Sequence, residues 1–233
     1  MDEETKSRPQ ASCASCTGSR EERVCMAQTG QGTRGCPTLT RTDLLGEANR
    51  EYENEPVRGF ARQASIQEAD CYANRHQRPY VMQPTKTRIE EICEFAGRMG
   101  YRRLGLAFCM GLAHEAGLVE SILRDRDFEV VSVACKAGRT PKRFLDLAPE
   151  ETIRQDDGES MCNPVFQARL LNEEKTELNV LLGLCVGHDS LFFRYAEAPT
   201  TVLAVKDRVT GHNPLAAVYL SGSYYGKVRH PGM

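Results

Sequence analysis

The sequence of 233 residues predicts an α/β protein built on an open, mainly parallel, Rossmann-like sheet. Short apolar runs alternate with helical segments through the second half of the chain, which is typical of βαβ units with about four strands. Polar helical segments precede that region. A cysteine-rich stretch with little apolar material precedes those helices, so we expect a small four-cysteine module near the N-terminus.

Three segments are predicted along the chain. Residues 1–40 comprise a disordered N-terminus and a four-cysteine metal-binding module, residues 41–100 a helical segment that packs on the main domain, and residues 101–233 the α/β domain. Residues 13–37 contain four Cys and four Gly but little apolar material. Because such a segment cannot bury enough surface to offset its ordering entropy, we expect a ligand to order it.

Three helical segments are predicted before the α/β domain. Two of them are polar, span residues 40–55 and 59–76, and are separated by Pro56. The third spans residues 85–99 and ends at Gly100. Its apolar positions recur with helical spacing, at Ile89, Ile92, Cys93 and Ala96.

Each short apolar run in the second half of the chain predicts a buried strand. The predicted strands span residues 103–109, 128–135, 178–185 and 200–206. Helices are predicted at residues 112–126, 163–176, 188–196 and 213–220. Parallel strands joined by crossover helices bring all the C-terminal strand ends to one edge of the sheet, where open α/β folds bind their ligands.

The N-terminal cysteines have the spacing of a metal-binding module. They follow a C-x2-C-x8-C-x10-C pattern formed by Cys13, Cys16, Cys25 and Cys36. Four thiolates suit tetrahedral Zn²⁺ or an iron–sulfur cluster, and structural zinc contributes roughly 10–16 kcal/mol, enough to order a short loop. A flexible tail with incidental thiols and a redox CxxC are the alternatives. The redox alternative is weaker because the CxxC does not lie at a strand-to-helix junction.

A second set of cysteines is predicted at the C-terminal edge of the sheet. Cys109, Cys135 and Cys185 end the first three strands, and Cys162 lies just before the helix that leads into the third strand. Because neighbouring strands are roughly 4.8 Å apart, thiols at their ends can converge on one metal ion or cluster. The alternative is that each is a small buried core residue. Cys71 and Cys93 are interpreted as structural residues rather than ligands.

Two histidines are candidates for the same edge. His188 follows Cys185 in the sequence CVGHDS, and His212 follows the fourth strand in DRVTGHNP. With Cys185 they define an alternative hypothesis, in which a redox or small-molecule-metabolising enzyme has its pocket above the strand ends. Whether the protein is an enzyme stays open at this point.

Composition and charge limit the classes of partner that the protein is expected to bind. The formal net charge is -2, so no basic field attracts nucleic acid or an anionic membrane. No apolar run approaches the roughly 18 residues of a membrane span, and the polar N-terminus MDEETKSRPQ does not resemble a secretory signal. We therefore expect a cytoplasmic protein in a reducing compartment. There, ten cysteines indicate metal or redox chemistry rather than disulfides.

Several stretches resemble one family. They are AFCMGL at 107–112, CNP at 162–164, LNVLLGLCVGHDSLF at 178–192, VKDRVTGHNPLAAVY at 205–219, and the N-terminal CxxC with the closing Cys36-Pro37. These stretches resemble an uncharacterised metal-binding protein family of anaerobic bacteria and archaea, catalogued as a domain of unknown function. The resemblance implies metal binding and no particular reaction.

The leading hypothesis is thus a metal-binding protein with zinc or an iron–sulfur cluster. It has an N-terminal four-cysteine site and a second thiolate site at the sheet edge. Besides the enzyme hypothesis, a metal-responsive binding module is the third possibility, in which metal orders the N-terminal segment and so controls a partner surface. The expected partners are a metal ion and a small-molecule or redox partner.

Overall fold

A computed structural model describes residues 9–156 and 158–232. The chain forms two compact units, Met1–Ile66 and Gln67–Met233. The predicted division at residues 40 and 100 stays a prediction. The expectation of disorder concerns residues 1–12, of which the first eight lie outside the described residues.

The first unit contains short helices after a cysteine-rich coil. A 3-10 turn at Cys13–Ser15 is followed by α1 (Pro37–Thr40), α2 (Thr42–Glu51) and α3 (Glu55–Asp70), whose last turn belongs to the second unit. Pro56 does not separate two helices, as the sequence suggested, but lies in the first turn of α3. A proline is compatible with that turn because its missing N–H would have no intrahelical partner.

The second unit contains the predicted sheet. Its strands are β1 (Arg103–Phe108), β2 (Glu129–Ala134), β3 (Leu178–Leu182) and β4 (Thr200–Ala204). They are all parallel, in the order β2-β1-β3-β4. This arrangement confirms the predicted α/β class with a four-stranded parallel sheet.

Helices cover both faces of this sheet. They are α4 (Arg88–Arg98), α5 (Ala113–Arg124), α6 (Pro164–Glu173) and α7 (His188–Tyr195), with α8 (Pro214–Tyr219) after β4. One core cluster unites α4 and α5 with one face, and a second unites α6 and α7 with the other. The continuous apolar strands therefore follow from burial on both faces. At the start of α4, Glu90 Oε2 accepts a hydrogen bond from Thr87 N at 2.8 Å, which completes a capping box.

The third strand ends earlier than the sequence suggested. β3 stops at Leu182, and Gly183 adopts a φ of +68°, which takes the chain out of the extended conformation. A Cβ atom on Gly183 would lie 2.1 Å from Leu112 Cδ1, so the close approach also requires glycine. Cys185 therefore lies three residues beyond the strand, in a loop, whereas Cys109 and Cys135 directly follow β1 and β2.

In the part of the chain that the structure describes, no helix is both long and apolar enough to cross a membrane.

Candidate metal centre at the sheet edge

The C-terminal sheet edge has a topological switch point between β1 and β3. The connection from β1 leads to β2 on one side, and the chain then crosses over to β3 and β4 on the other. The helices of these connections lie on opposite faces, which is the arrangement in which open α/β folds bind ligands beyond the strand ends. Cys109 and Cys185 follow the two strands on either side of this switch point.

Cys135 and Cys162 are in direct contact. Their Sγ atoms are 3.6 Å apart. The backbone fixes this contact, since Asn163 N donates a 2.7 Å hydrogen bond to Cys135 O. Asn163 also caps α6, because its Oδ1 accepts a 2.9 Å hydrogen bond from Phe166 N. The start of α6 thus holds Cys162 against the end of β2.

Gln167 further ties α6 to the strand ends. It is completely buried, and its Nε2 donates to Val133 O at 2.8 Å and to Phe108 O at 3.2 Å. Val133 lies in β2, two residues before Cys135. Phe108 lies in β1, one residue before Cys109. A buried amide with two backbone partners stabilises this arrangement by roughly 1 kcal/mol per bond.

Cys109 extends the pair to three thiols. It is hydrogen-bonded to Cys135, and this bond together with burial raises the pKa of Cys109 to about 12. Met110 N donates to Cys135 Sγ at 3.3 Å, so Cys135 is contacted by the connection that follows β1 as well as by Cys162. The bond with Cys109 lowers the pKa of Cys135, but its bond with Cys162 and burial raise it more, leaving that pKa above its ordinary value.

Cys162 differs from Cys109 and Cys135 in that its pKa is lowered. The hydrogen bond shared with Cys135 lowers its pKa to about 7, against the effect of burial. The positive charge of Lys136 lowers this pKa further, while Cys185 and Cys109 raise it. Cys109 and Cys185 thus influence the pKa of Cys162 in addition to its bond with Cys135. We name Cys109, Cys135, Cys162 and Cys185 the thiol cluster.

Cationic side chains surround the thiol cluster. Arg208 Nη2 donates to Cys185 Sγ at 3.1 Å. A Cβ atom on Gly111 would lie 3.7 Å from Lys206 Nζ and 3.8 Å from Cys109 Sγ, so these two side chains face the same space. Lys136 lowers the pKa of Cys162 and Lys206 lowers that of Cys109, although the bond with Cys135 and burial keep the pKa of Cys109 above its ordinary value. Sequence reasoning missed Lys206 and Arg208, although both follow β4 at the same edge as the cysteines.

A buried carboxylate anchors the loop between Cys135 and Cys162. Glu159 is 5% exposed and forms a 2.8 Å ion pair with Lys142 Nζ, which is the main cause of its pKa being lowered to about 2. Lys136 Nζ lies 3.9 Å from the same carboxylate and also donates to Ser160 O. Lys136 and Lys142, which follow β2, thus hold the loop that carries Cys162.

The two predicted histidines lie at this edge in different ways. His188 begins α7, and its backbone N donates to Cys185 O at 2.9 Å. Its Nδ1 is buried without a hydrogen-bond partner among the described residues. His212 Nδ1 accepts a 3.2 Å hydrogen bond from Asp207 N, so that nitrogen is occupied by its own loop. The same loop reaches the thiol cluster through Arg208.

The N-terminal cysteines line one small cavity. Cys13, Cys16, Cys25 and Cys36 all border a space of about 60 Å³. The surrounding loop is held by Arg23, which donates from Nη2 to Cys16 O at 3.1 Å and from Nε to Gly18 O at 3.0 Å. Cys13 and Cys25 are exposed, whereas Cys36 is buried. The four predicted ligands thus border the same cavity, on a segment with little regular structure.

All ten cysteines lie in the described part of the chain, as free thiols. Within residues 9–156 and 158–232, no three His, Cys, Asp or Glu side chains are closed around a metal position. The two remaining cysteines lie in the interior, as predicted. Cys93 packs in the core under α4, and Cys71 Sγ donates to Gln67 O at 3.0 Å and to Glu91 Oε1 at 3.1 Å. Burial is the main cause that raises the pKa of both thiols.

The fold and site together define a doubly wound α/β protein with a thiol-rich sheet edge. The chain belongs to the family described as "Protein of unknown function (DUF1847)", which matches residues 36–203. It is 41% identical over 187 residues to the uncharacterized protein MJ0455 of Methanocaldococcus jannaschii, which covers 80% of this chain and 88% of that protein. The family range contains the whole thiol cluster and His188, but not Cys13, Cys16, Cys25 or His212.

Proposed function

We propose that the protein binds a metal through thiolates, with the thiol cluster as the ligand set for Zn²⁺ or an iron–sulfur cluster. One observation carries this proposal. Four cysteines from three connections of the sheet lie at the switch point, where open α/β folds bind ligands, and two of them are in direct contact. A hydrophobic core does not require thiols from so many connections to meet at a polar edge.

The distance between the sulfurs of Cys135 and Cys162 supports a shared metal ion. Zn–S bonds of about 2.3 Å in tetrahedral geometry separate two thiolate sulfurs by about 3.8 Å. The Sγ atoms of Cys135 and Cys162 are 3.6 Å apart. Cys109 and Cys185, which lie beyond the ends of β1 and β3, would complete the ligand set. The four-thiol set suits zinc and iron–sulfur clusters alike.

Charge also supports the proposal. Thiols must lose their protons to bind a metal, and a bound cation deprotonates them outright. Lys136, Lys206 and Arg208 already provide positive charge around the thiol cluster. They would balance the negative charge that four thiolates leave after binding one divalent ion.

A second, structural site is proposed at the N-terminus, with Cys13, Cys16, Cys25 and Cys36 as ligands. The shared 60 Å³ cavity supports it. Gly32 packs closely there, since a Cβ atom on it would lie 2.8 Å from Cys36 Sγ. Metal binding would supply the stabilisation that this segment lacks from apolar burial.

Metal content and the absorption spectrum test both sites. The full-length protein is purified without oxygen or added metal and compared with a Cys13→Ser/Cys16→Ser variant and a Cys135→Ser/Cys185→Ser variant. We expect each variant to lose one site and retain the other. Iron with sulfide and absorption near roughly 400 nm would identify a cluster, and colourless zinc protein would identify a zinc site.

Unchanged metal content in the Cys135→Ser/Cys185→Ser variant would contradict the sheet-edge site. A folded Cys93→Ser variant is the matched control, because Cys93 is a core thiol outside the thiol cluster. The enzyme hypothesis with Cys185, His188 and His212 stays a prediction, as does the metal-responsive module. Cytoplasmic location and a small-molecule or redox partner likewise stay predictions.

A further inference from the structure

Cys135 and Cys162 have the geometry of a dithiol that can form a disulfide. Cys135 and Cys162 are 27 positions apart in the chain, yet their Sγ atoms are 3.6 Å apart. A disulfide has an S–S distance of about 2.05 Å, so closure requires about 1.5 Å of sulfur movement. Because Cys162 lies in the coil just before α6, a side-chain rotation with a small loop shift supplies that movement.

The two thiols differ in access. Cys135 is 3% exposed, whereas Cys162 is half-buried. A thiol reagent in solution therefore reaches Cys162 first, and Cys135 can only act from the interior. This is the arrangement of an attacking cysteine and a resolving cysteine.

The residues around Cys135 and Cys162 favour thiol–disulfide exchange. Met110 N donates to Cys135 Sγ at 3.3 Å, and the two sulfurs of the pair contact each other directly. Cys71 instead contacts a carboxylate and a backbone carbonyl, and Cys93 packs among apolar side chains.

We infer that Cys135 and Cys162 form a redox-active dithiol that reduces low-molecular-weight disulfides when the thiol cluster holds no metal. The Cys162 thiolate attacks one sulfur of the substrate R–S–S–R, forming a mixed disulfide and releasing one RS⁻. Cys135 then loses its proton to solvent and attacks the Cys162 sulfur, releasing the second RS⁻. The protein dithiol is oxidised to a disulfide, and the substrate is reduced to two thiols.

This activity does not require the metal site to exist. If the thiol cluster also binds metal, coordination of Cys135 and Cys162 blocks the exchange. The two proposals can therefore fail separately. Metal-free protein tests the dithiol, and metal content tests the metal site.

Peptide-resolved mass spectrometry on the full-length protein provides the test. Reduced, metal-free protein is exposed to oxidised glutathione, quenched with acid and digested. We expect a crosslink between the peptides of Cys135 and Cys162, formed at least about tenfold faster than glutathione adds to the buried Cys93. In Cys135→Ser, glutathione should stay on Cys162 as a stable mixed disulfide.

Cys135→Ala is the second variant, and it should trap the same mixed disulfide if the serine variant folds poorly. In Cys162→Ser, Cys135 should react no faster than Cys93, because it is buried. A crosslink between Cys135 and Cys109 instead would overturn the assignment. So would failure of both Cys135 variants to accumulate glutathione on Cys162.

Discussion

The N-terminal cysteines and the thiol cluster bring thiols together by different means. In the N-terminal segment, four cysteines come close through short sequence spacing and a few backbone bonds, such as Ser12 N to Gly35 O at 3.2 Å and Val24 N to Gln31 O at 2.9 Å. In the thiol cluster, parallel strands with a core on both faces position cysteines that are far apart in sequence. Under the proposed function, the first arrangement needs a ligand to stay ordered, whereas the second is positioned by the fold.

The largest expected effect is on the order of the N-terminal segment. Chelation should speed tryptic cleavage at Arg20, Arg23 and Arg34 by at least about 100-fold, because structural zinc contributes roughly 10–16 kcal/mol to such modules. Cleavage within β1 to β4 should change far less, because the sheet is held by its apolar core. Timed digestion with mass spectrometry measures both rates.

The Cys13→Ser/Cys16→Ser variant serves as the control for chelation. It should be cleaved rapidly with or without chelator. Equal cleavage of the unaltered protein in both conditions would remove the distinction between a ligand-ordered segment and a preorganised edge.

The next effect distinguishes thiols within the preorganised edge. In metal-free protein, Cys162 has a pKa lowered to about 7 by its bond with Cys135, and Cys109 a pKa raised to about 12 by its own bond with Cys135. From thiolate fractions alone, alkylation at about pH 8 should be more than about 100-fold faster at Cys162. Half-maximal reactivity of Cys162 near pH 7 is the expected profile. Similar profiles for the two thiols would contradict the hydrogen-bond pattern.

The same pKa shifts predict a pH dependence of stability. The pKa of Cys162 is below its ordinary value of 9.0, so its contribution is complete above about pH 9 and is lost as pH falls through about 7. Cys109 contributes fully below about pH 9 and loses its contribution as pH rises through about 12. Urea unfolding of metal-free protein and of Cys162→Ala should therefore differ most near pH 9. A difference that grows towards pH 6 would have the wrong sign.

A smaller effect separates core thiols from edge thiols. Cys93→Ser should lower the free energy of unfolding by about 1–3 kcal/mol, because it buries a hydroxyl in the apolar core beneath α4. Cys185→Ser should change the stability of the metal-free protein by less than about 0.5 kcal/mol, because Cys185 is a loop residue. Urea titration of both variants measures the difference. Equal losses would indicate that Cys185 is also a core residue.

The smallest effect concerns the cations at the edge. Arg208→Gln removes the guanidinium 3.1 Å from Cys185 Sγ, and we expect metal affinity to fall by less than about tenfold because Arg208 is exposed and its charge is screened. Competition with a chromophoric chelator measures this change. Arg194→Gln, an exposed residue in the last turn of α7, is the matched control and should leave the affinity unchanged.

The sequence predicted the sheet well because its strands are short, mainly apolar runs between helical segments. It placed Cys109 and Cys135 at one edge because both directly follow strands, and parallel strand ends share an edge. It could not predict that β3 ends at Leu182, since that depends on the packing of Gly183 against Leu112. The 3.6 Å contact of Cys135 with Cys162 depends on hydrogen bonds made by Asn163, which sequence spacing does not encode.

The cations and histidines were harder to predict for a different reason. Lys206 and Arg208 follow a strand without a recognisable motif, and only the folded loop brings Arg208 to Cys185. His212 belongs to DRVTGHNP, one of the stretches that resemble the family. In the structure it has a positive φ, and its Nδ1 accepts a hydrogen bond from Asp207 N in the same loop. Side-chain direction in loops depends on local backbone geometry, which hydrophobic periodicity does not report.

X-ray absorption at the metal edge tests the central claim most directly. The sample is anaerobically purified, full-length Cys13→Ser/Cys16→Ser protein, in which the N-terminal site is disabled and the thiol cluster is intact. The account predicts about four sulfur neighbours at about 2.3 Å from the bound metal, and the loss of that metal on adding Cys135→Ser. A metal-free sample, or a metal surrounded mainly by oxygen and nitrogen, would contradict a thiolate site at the sheet edge.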